Sequence, residues 1–400
     1  MSFQTLFQAD VTGKTVLLRA DLNVPMQNGT VSDTTRLDRL LPTIRFLQDR
    51  NAKIVILSHF GRPKGKRTAE DSLEPVAKKL GELLGEHIHF VPDCIGDSVA
   101  LHVSTLKPKD VAVLENLRFY AEEEANDADF ARQLSTFGDL YVNDAFSASH
   151  RAHASIDALA HKLPAYAGLL MEQELEALQN SLEKPVHPVA AIIGGAKIST
   201  KLSVLHNLVK KTDYLIMGGG MANTFLAAKG FDVGASLCEH DMKEEALKIM
   251  DEAAAANCDI ILPKDVAAAK EFKANTAFDI VAVDAIAADQ MALDIGTESI
   301  ENIKFILNGC KTLLWNGPVG AFEIAPFDRG TMALADYVAK LTSEGKLLSV
   351  AGGGDTVAAL EQAKVVDQLS YVSTAGGAFL EWLEGKELPG ITALQNHSAK

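Results

Sequence analysis

Short apolar runs recur along the first half of the chain, at Thr15–Arg19, Lys53–Leu57, His87–Phe90, Val111–Leu114 and Asp139–Val142. Each reads as a buried strand bounded by polar turns. Between several of them, apolar residues fall at helical spacing. One such stretch runs from Leu37 to Gln48, and another covers Leu73–Leu84 with Ser72 as its expected N-cap. Gln27-Asn28-Gly29 predicts a hairpin. Strands alternating with helices predict a mostly parallel sheet covered on both faces.

The pattern changes at Leu163–Gln179. Pro164 opens this connector, an amphipathic helix continues through Leu169–Leu175, and Pro185 and Pro188 end it. The alternation then resumes, with strands expected at Val189–Ile193, Tyr214–Met217, Ile260–Leu262, Thr312–Trp315, Leu347–Ala351 and Tyr371–Thr374. The expected fold class is α/β, with two doubly wound, Rossmann-like parallel-sheet domains joined by a hinge helix. The expected boundaries are 1–165, the hinge helix 166–180, and 181–383. A tail, 384–400, is expected to return and complete the first domain.

Ligands in such folds bind past the carboxyl ends of the strands. In the first half those positions carry Asp21 and Asn23, then His59 and Arg62, then Arg118, then Arg151, with Arg36 following the hairpin. A lone arginine after a strand is ordinarily a surface ion pair, and His59 alone also fits a structural histidine. Repeated at several strand ends, the set predicts a site for a small, multiply anionic, hydroxylated ligand. His150 and His153 lack a third metal ligand, and no metal is expected there.

In the second half the strand ends carry glycine instead. The loops are Gly194-Gly195-Ala196-Lys197, Gly218-Gly219-Gly220, Asn316-Gly317-Pro318-Val319-Gly320, Gly352-Gly353-Gly354-Asp355-Thr356 and Ala375-Gly376-Gly377. One such loop is compatible with a tight turn, here with Asp355 as an N-cap. Five predict a backbone-lined nucleotide crevice. Lys197 and Lys201, one helical turn apart, are expected on one face of a helix running from Ser199 through Leu205. A carboxylate inside a phosphate loop suggests a divalent metal at Asp355. Neither G-x-x-x-x-G-K-[ST] nor G-x-G-x-x-G occurs.

Length and charge narrow the classes further. Four hundred residues fit two or three domains. A formal net charge of −15 disfavours nucleic-acid or anionic-membrane partners. Any anion must be held by local clusters. The four cysteines, Cys94, Cys238, Cys258 and Cys310, show no zinc or C-x-x-C spacing. No apolar stretch reaches the ~18 residues of a membrane span, and the amino terminus lacks a leader pattern. A cytoplasmic protein is expected.

The chain resembles the phosphoglycerate kinases from end to end. The resemblance rests on Arg19-Ala20-Asp21-Leu22-Asn23-Val24-Pro25, Ser58-His59-Phe60-Gly61-Arg62-Pro63, Glu115-Asn116-Leu117-Arg118-Phe119, Gly194-Gly195-Ala196-Lys197, Trp315-Asn316-Gly317-Pro318-Val319-Gly320 and Gly352-Gly353-Gly354-Asp355-Thr356, in family order. It implies reversible phosphoryl transfer between 1,3-bisphosphoglycerate and MgADP, giving 3-phosphoglycerate and MgATP. By position it implies an acid-sugar site of Asp21, Asn23, Arg36, His59, Arg62, Arg118 and Arg151 in the first domain. The implied nucleotide site comprises Gly194, Gly195, Lys197, Lys201, Gly218, Gly219, Asn316, Pro318, Glu323, Gly353, Gly354, Asp355 and Thr356. Within it, Glu323 would hold the ribose hydroxyls and Asp355 the magnesium. Arg36, Lys197 and the backbone N–H groups at Gly353 and Gly376 are expected to stabilise the moving phosphoryl group. The family is usually monomeric. Its last glycine loop often reads Ser-Thr-Gly-Gly-Gly-Ala-Ser, whereas this chain has Ser373-Thr374-Ala375-Gly376-Gly377-Ala378-Phe379. Ala375 would be unfavourable if that position needs a positive φ.

A nicotinamide-dependent dehydrogenase is the rival enzyme class, and it lacks its glycine fingerprint here. A non-catalytic two-domain anion-binding protein explains the arginines, but not Lys197, Lys201, Glu323 and Asp355 together.

Overall fold

The computed structural model describes residues 3–395. Met1, Ser2 and residues 396–400, which include the end of the expected tail, lie outside them. The chain divides into two compact units. One runs through Leu175 and resumes at Glu387; the other is Glu176–Lys386.

The first unit contains β1 (Thr15–Arg19), the hairpin pair β2 (Met26–Gln27) and β3 (Thr30–Val31), β4 (Lys53–Leu57), β5 (His89–Val91), β6 (Val111–Leu114), β7 (Leu140–Asn143) and β8 (Ala165–Ala167). Its six-stranded sheet has the order β5-β6-β4-β1-β7-β8, and every pairing is parallel. All five residues of β1 are buried, as expected of a central strand with helices on both faces. The core on one side gathers Val16, Leu18, Ile54, Ile56, Val111 and Val142 from the sheet with Leu37, Leu40, Ile44 and Leu47 of the helix Thr35–Asp49. The hairpin turns through Asn28 at φ 52° and Gly29 at φ 75°, the mirror-image turn that Asn-Gly favours.

The second unit contains β9 (Val189–Ile193), β10 (Tyr214–Met217), β11 (Asp259–Ile261), β12 (Asp265–Ala269), β13 (Phe278–Ala282), β14 (Met291–Ile295), β15 (Thr312–Asn316), β16 (Leu348–Gly352) and β17 (Tyr371–Ser373). Its main sheet has the order β11-β10-β9-β15-β16-β17, again all parallel. Counted within that sheet, the order is 3-2-1-4-5-6, the dinucleotide-fold arrangement. The fold class read from the sequence therefore holds for both sheets.

Several local expectations are corrected. The connector does not begin as a helix at Pro164. The Pro164 carbonyl accepts from Tyr141 N–H at 2.9 Å, and β8 pairs in parallel with β7 before the helix Leu169–Leu178 begins. A π-helical turn, Gln179–Glu183, follows. The antiparallel sheet β13-β12-β14 is an addition to the expected architecture. Ser72 is not the N-cap of the Glu74–Leu84 helix, a position held by Leu73, although its hydroxyl accepts from Glu74 N–H at 3.2 Å. The helix Pro389–Gln395 packs on the first unit: Gly390 N–H donates to the Ser149 carbonyl at 2.9 Å. A Cβ at Gly390 would lie 2.7 Å from Ser149 Oγ. Among the described residues, no helix is long and apolar enough to cross a membrane.

Candidate active site

In the first unit the sheet order reverses at β1, whose neighbours are β4 and β7. The loops leaving these strands therefore open the natural ligand crevice of a doubly wound sheet. After β1, Asp21 Oδ1 accepts from Asn23 N–H at 3.0 Å, and Ser147 also donates to Asp21. Arg36, in the first turn of its helix, donates through Nη1 to the Asn23 carbonyl at 2.7 Å and lies 3.0 Å from Asp21 Oδ2. Asn23 Oδ1 accepts from Gly61 N–H at 3.0 Å. Asp21, Asn23, Arg36 and the loop after β4 are thus one hydrogen-bonded group.

His59 and Arg118 are buried. Arg118 donates to the Gly61 carbonyl at 2.7 Å, and its Nε is 3.3 Å from Glu124. Arg151 donates through Nε to His150 at 3.1 Å. Arg62 is exposed on the loop after β4.

The electrostatics show how closely these groups gather. Burial, then the charges of Arg19, Arg118 and Arg151, hold the His59 imidazole well below its ordinary range. Burial with Arg118, Arg19 and Arg151 lowers His153 to about 4. Arg118 is itself lowered by burial and by Arg151 and Arg19, against the opposing pull of Glu124. Cations that depress one another's protonation are relieved by an anion placed among them. Arg19 is part of this cluster, but it is fully buried and reaches inward. Its place at a strand end is legible in the sequence. The part played by Ser155 and Glu123 behind it is not, because neither belongs to a motif that the sequence singles out.

In the second unit the sheet order reverses between β9 and β15. The loops after these two strands interlock. A Cβ on Gly194 would lie 1.8 Å from the Pro318 carbonyl oxygen, and one on Gly317 would lie 2.2 Å from the Gly194 oxygen. Only glycine permits backbones to approach so closely. Gly218 and Gly219 continue the rim beyond β10: Gly219 N–H donates to the Val319 carbonyl at 2.9 Å. Gly195 lies beside Lys201, whose Nζ would be 3.9 Å from a Cβ there.

Lys201 fastens the crossing. Its ammonium donates to the Gly194 carbonyl at 2.7 Å, the Asn316 carbonyl at 3.1 Å and Asn316 Oδ1 at 2.6 Å. Asn316 Nδ2 passes the link on to the Gly352 carbonyl at 2.7 Å. Thr356 Oγ1 accepts from Gly317 N–H at 2.7 Å. One series of side-chain hydrogen bonds therefore joins the loops after β9, β15 and β16. Burial lowers the Lys201 ammonium to about 8, opposed by the nearby Asp355 carboxylate.

The two lysines do not share a helical face. Residues Ile198–Thr200 form a 3-10 turn, Lys197 is extended and exposed, and Lys201 turns into the loops. The regular helix starts only at Leu202. Asp355 does not cap its helix either. The N-cap is Gly353 at φ 100°, and Asp355 is exposed in the first turn of Gly354–Gln362. Glu323 is exposed on the loop after β15. Gly376 begins the helix Gly376–Leu383, capped by Ala375 at φ −95°. The structure thus gathers the five glycine loops at the carboxyl edge of one sheet.

Among the described residues no group of three or more His, Cys, Asp or Glu could hold a metal by itself. A lone exposed carboxylate at a helix N-terminus fits the other mode, in which magnesium is shared between one carboxylate, phosphate oxygens and water.

The family model described as phosphoglycerate kinase matches residues 6–386. A phosphoglycerate kinase of Rhodospirillum centenum is 58% identical over 394 residues, covering 98% of this chain and 100% of its own. One from Rhizobium meliloti is 56% identical over 399 residues, covering 100% of each chain. The solved structure of phosphoglycerate kinase from Coxiella burnetii superposes with a TM-score of 0.93 at 40% identity, over 100% of each chain. That from Pyrococcus horikoshii gives 0.82 at 33% identity, over 99% of this chain and 100% of its own. With two parallel six-stranded sheets, a clustered set of arginines and an interlocked glycine rim all in the matched span, the chain belongs to the phosphoglycerate kinase family.

Proposed function

We propose that the first unit binds 3-phosphoglycerate or 1,3-bisphosphoglycerate through Asp21, Asn23, Arg36, His59, Arg62, Arg118 and Arg151. The second unit binds MgATP or MgADP along Gly194, Gly195, Gly218, Gly219, Asn316, Pro318, Gly353, Gly354 and Thr356. Lys197 and Lys201 supply positive charge, Glu323 meets the ribose, and Asp355 holds the magnesium. The observation that carries this reading is the pairing of site character with topology. Each parallel sheet has its switch point where its candidate ligand groups gather, arginines in one and bare backbone in the other.

The chain is a phosphotransferase, and the chemistry asks little proton work of it. A carboxylate oxygen of 3-phosphoglycerate forms the new bond to the γ-phosphorus of ATP. The bond from that phosphorus to the β–γ bridging oxygen breaks, and ADP leaves. The acceptor is already ionised at neutral pH, so no general base is required. Bound magnesium supplies charge neutralisation on the phosphates. The protein's share is orientation and donors for the moving phosphoryl group. Arg36, held by Asp21 and the Asn23 carbonyl, is one. Lys197 and the N–H groups at Gly353 and Gly376 are the others. Reacting atoms must approach to about 3–3.5 Å, so the reading includes closure about the connector 163–179 and the loop Ser373–Gly377. It also takes the enzyme to be a cytoplasmic monomer without nucleic-acid or membrane partners.

A coupled assay for ATP consumption that depends on both 3-phosphoglycerate and magnesium tests the activity. Arg36→Ala and Lys197→Ala should each lower turnover by roughly 10²–10³-fold, the scale of one lost charge-stabilising donor. Near-normal turnover in either variant would remove that residue from the mechanism.

A further inference from the structure

A neutral histidine has one N–H, and which nitrogen carries it decides whether the ring can donate to an anion. At His59 that choice is made from behind. Arg19 is fully buried, and a guanidinium can only donate. Its Nη2 lies 3.0 Å from His59 Nδ1, so Nδ1 must accept and the ring proton sits on Nε2. Its Nε donates to Ser155 Oγ at 2.8 Å. That leaves the Ser155 hydroxyl proton to go onward, and it reaches Glu123 Oε1 at 2.6 Å. Glu123 Oε2 accepts from Ser155 N–H at 2.9 Å, and the Glu123 carbonyl accepts from Ala154 N–H at 2.8 Å. With Glu123 as a carboxylate, which can only accept, every hydrogen bond in the relay has one allowed direction.

Glu123 has no exposed surface. Burial pushes its carboxyl up, while Arg19 and Ser155 pull it down. A buried arginine next to Arg118 and Arg151 needs an opposing charge. Two acids share that role, Glu124 against Arg118 and Glu123 answering Arg19. Four elements meet here, the end of β1, the loop after β4, the short helix Ala121–Glu124, and the segment containing Ser155.

We propose that Glu123 is a positioning residue for the phosphotransfer reaction: through Ser155 and Arg19 it holds the His59 imidazole with Nδ1 as acceptor and Nε2–H free to donate to the anionic acid-sugar ligand. This role rests on the reading of His59 as a ligand residue of the first unit. Glu123 never touches substrate. It fixes the orientation and tautomer of a group that does.

The test uses the full chain with 15N-labelled histidine and long-range 1H–15N correlation spectra, without substrate. The expected result is a single neutral His59 tautomer protonated at Nε2. A proton on Nδ1, or a charged ring at neutral pH, would overturn the proposal. In Glu123→Gln, and in Ser155→Ala should the first variant fold poorly, the His59 signals should shift toward a tautomer mixture. KM for 3-phosphoglycerate should rise by about 10-fold or more, the scale of a hydrogen bond to a charged group, while KM for MgATP stays within about twofold, since the nucleotide site is not altered. Unchanged His59 signals with an unchanged KM ratio in the folded variants would refute the role of Glu123. His59→Gln separates the two readings: if it leaves KM for 3-phosphoglycerate unaltered, the assignment of His59 to the site fails, whatever the tautomer spectra show.

Discussion

Lys201 offers a quantitative test of how the glycine rim is held. Its ammonium makes three hydrogen bonds to Gly194 and Asn316, yet burial lowers its pKa from 10.5 to about 8. Burial is the larger effect, and the Asp355 charge only partly offsets it. Between about pH 8 and 10.5 the unfolded chain therefore holds a proton at this site that the folded chain has released. Stability rises with pH wherever the unfolded state binds more protons. At about 1.4 kcal/mol per pH unit, the fall from 10.5 to about 8 amounts to about 3 kcal/mol gained across that window. Below pH 8 both states are protonated, and the contribution is flat.

The cysteines act in the opposite sense. Burial raises Cys258, and raises Cys310 to about 11, so the folded state holds their protons longer and loses stability as pH climbs. The observable is therefore a difference between wild type and Lys201→Met, in which these contributions cancel. Both tryptophans, Trp315 and Trp382, are buried in the second unit, so intrinsic fluorescence during urea unfolding reports that unit selectively. The wild-type advantage should grow by about 3 kcal/mol from pH 7.5 to 10.5. A difference independent of pH would show that the ammonium is not strained by burial. A wild-type advantage that shrinks with rising pH would reverse the sign and refute the reasoning.

Gly353→Ala forces a side chain onto a φ of 100° and places its Cβ 2.6 Å from Asn316 Nδ2. It should cost about 1–3 kcal/mol of stability and raise KM for MgATP; thermal melts followed by tryptophan fluorescence with an ATP titration check both, and wild-type values would remove Gly353 from the rim. Ala375→Gly should lower stability by about 1 kcal/mol, because a flexible unfolded residue replaces one already at an allowed φ of −95°; a several-fold rise in kcat would instead mean that this position needs a positive φ during turnover. Phe379→Ser removes a fully buried ring and should cost on the order of 3–5 kcal/mol in the second unit, read by urea unfolding; near-wild-type stability would show that the ring fills no space that matters.

What the sequence makes legible follows from how each segment is buried. Strands such as Lys53–Leu57 and Val189–Ile193 are near-continuous apolar runs because both faces are covered, and their ends are read almost to the residue. Asp265–Ala269 is also buried throughout, but three of its five residues are alanine, whose own preference is helical. Its strand conformation comes from pairing on both sides with β13 and β14, which no local pattern reports. Ala165–Ala167 is concealed by the proline before it. Candidate ligand residues at strand ends are legible because topology sends all those ends to one edge. The groups behind them are not: Arg19 and Ser155 lie 136 positions apart, and nothing local announces that they meet.

The last two glycine loops show why a departure from a family pattern must be judged in three dimensions. Ala375 stands where the resemblance expects glycine, which raises the question of a positive φ. In this fold the positive φ is one loop earlier, at Gly353, where glycine adopts it freely, while Ala375 caps its helix at a φ of −95° and accepts from Phe379 N–H at 2.9 Å. The second departure, Phe379 in place of serine, turns its ring onto Gly352, where an added Cβ would lie 2.7 Å from the ring edge. The bare backbone at the end of β16 thus has two uses. Gly353 frees the turn that opens the next helix, and Gly352 makes room for the aromatic side chain behind it. Phe379 therefore braces the Gly352–Thr356 loop from within the core, and that brace links the helix after Ala375 to the loop that carries Asp355.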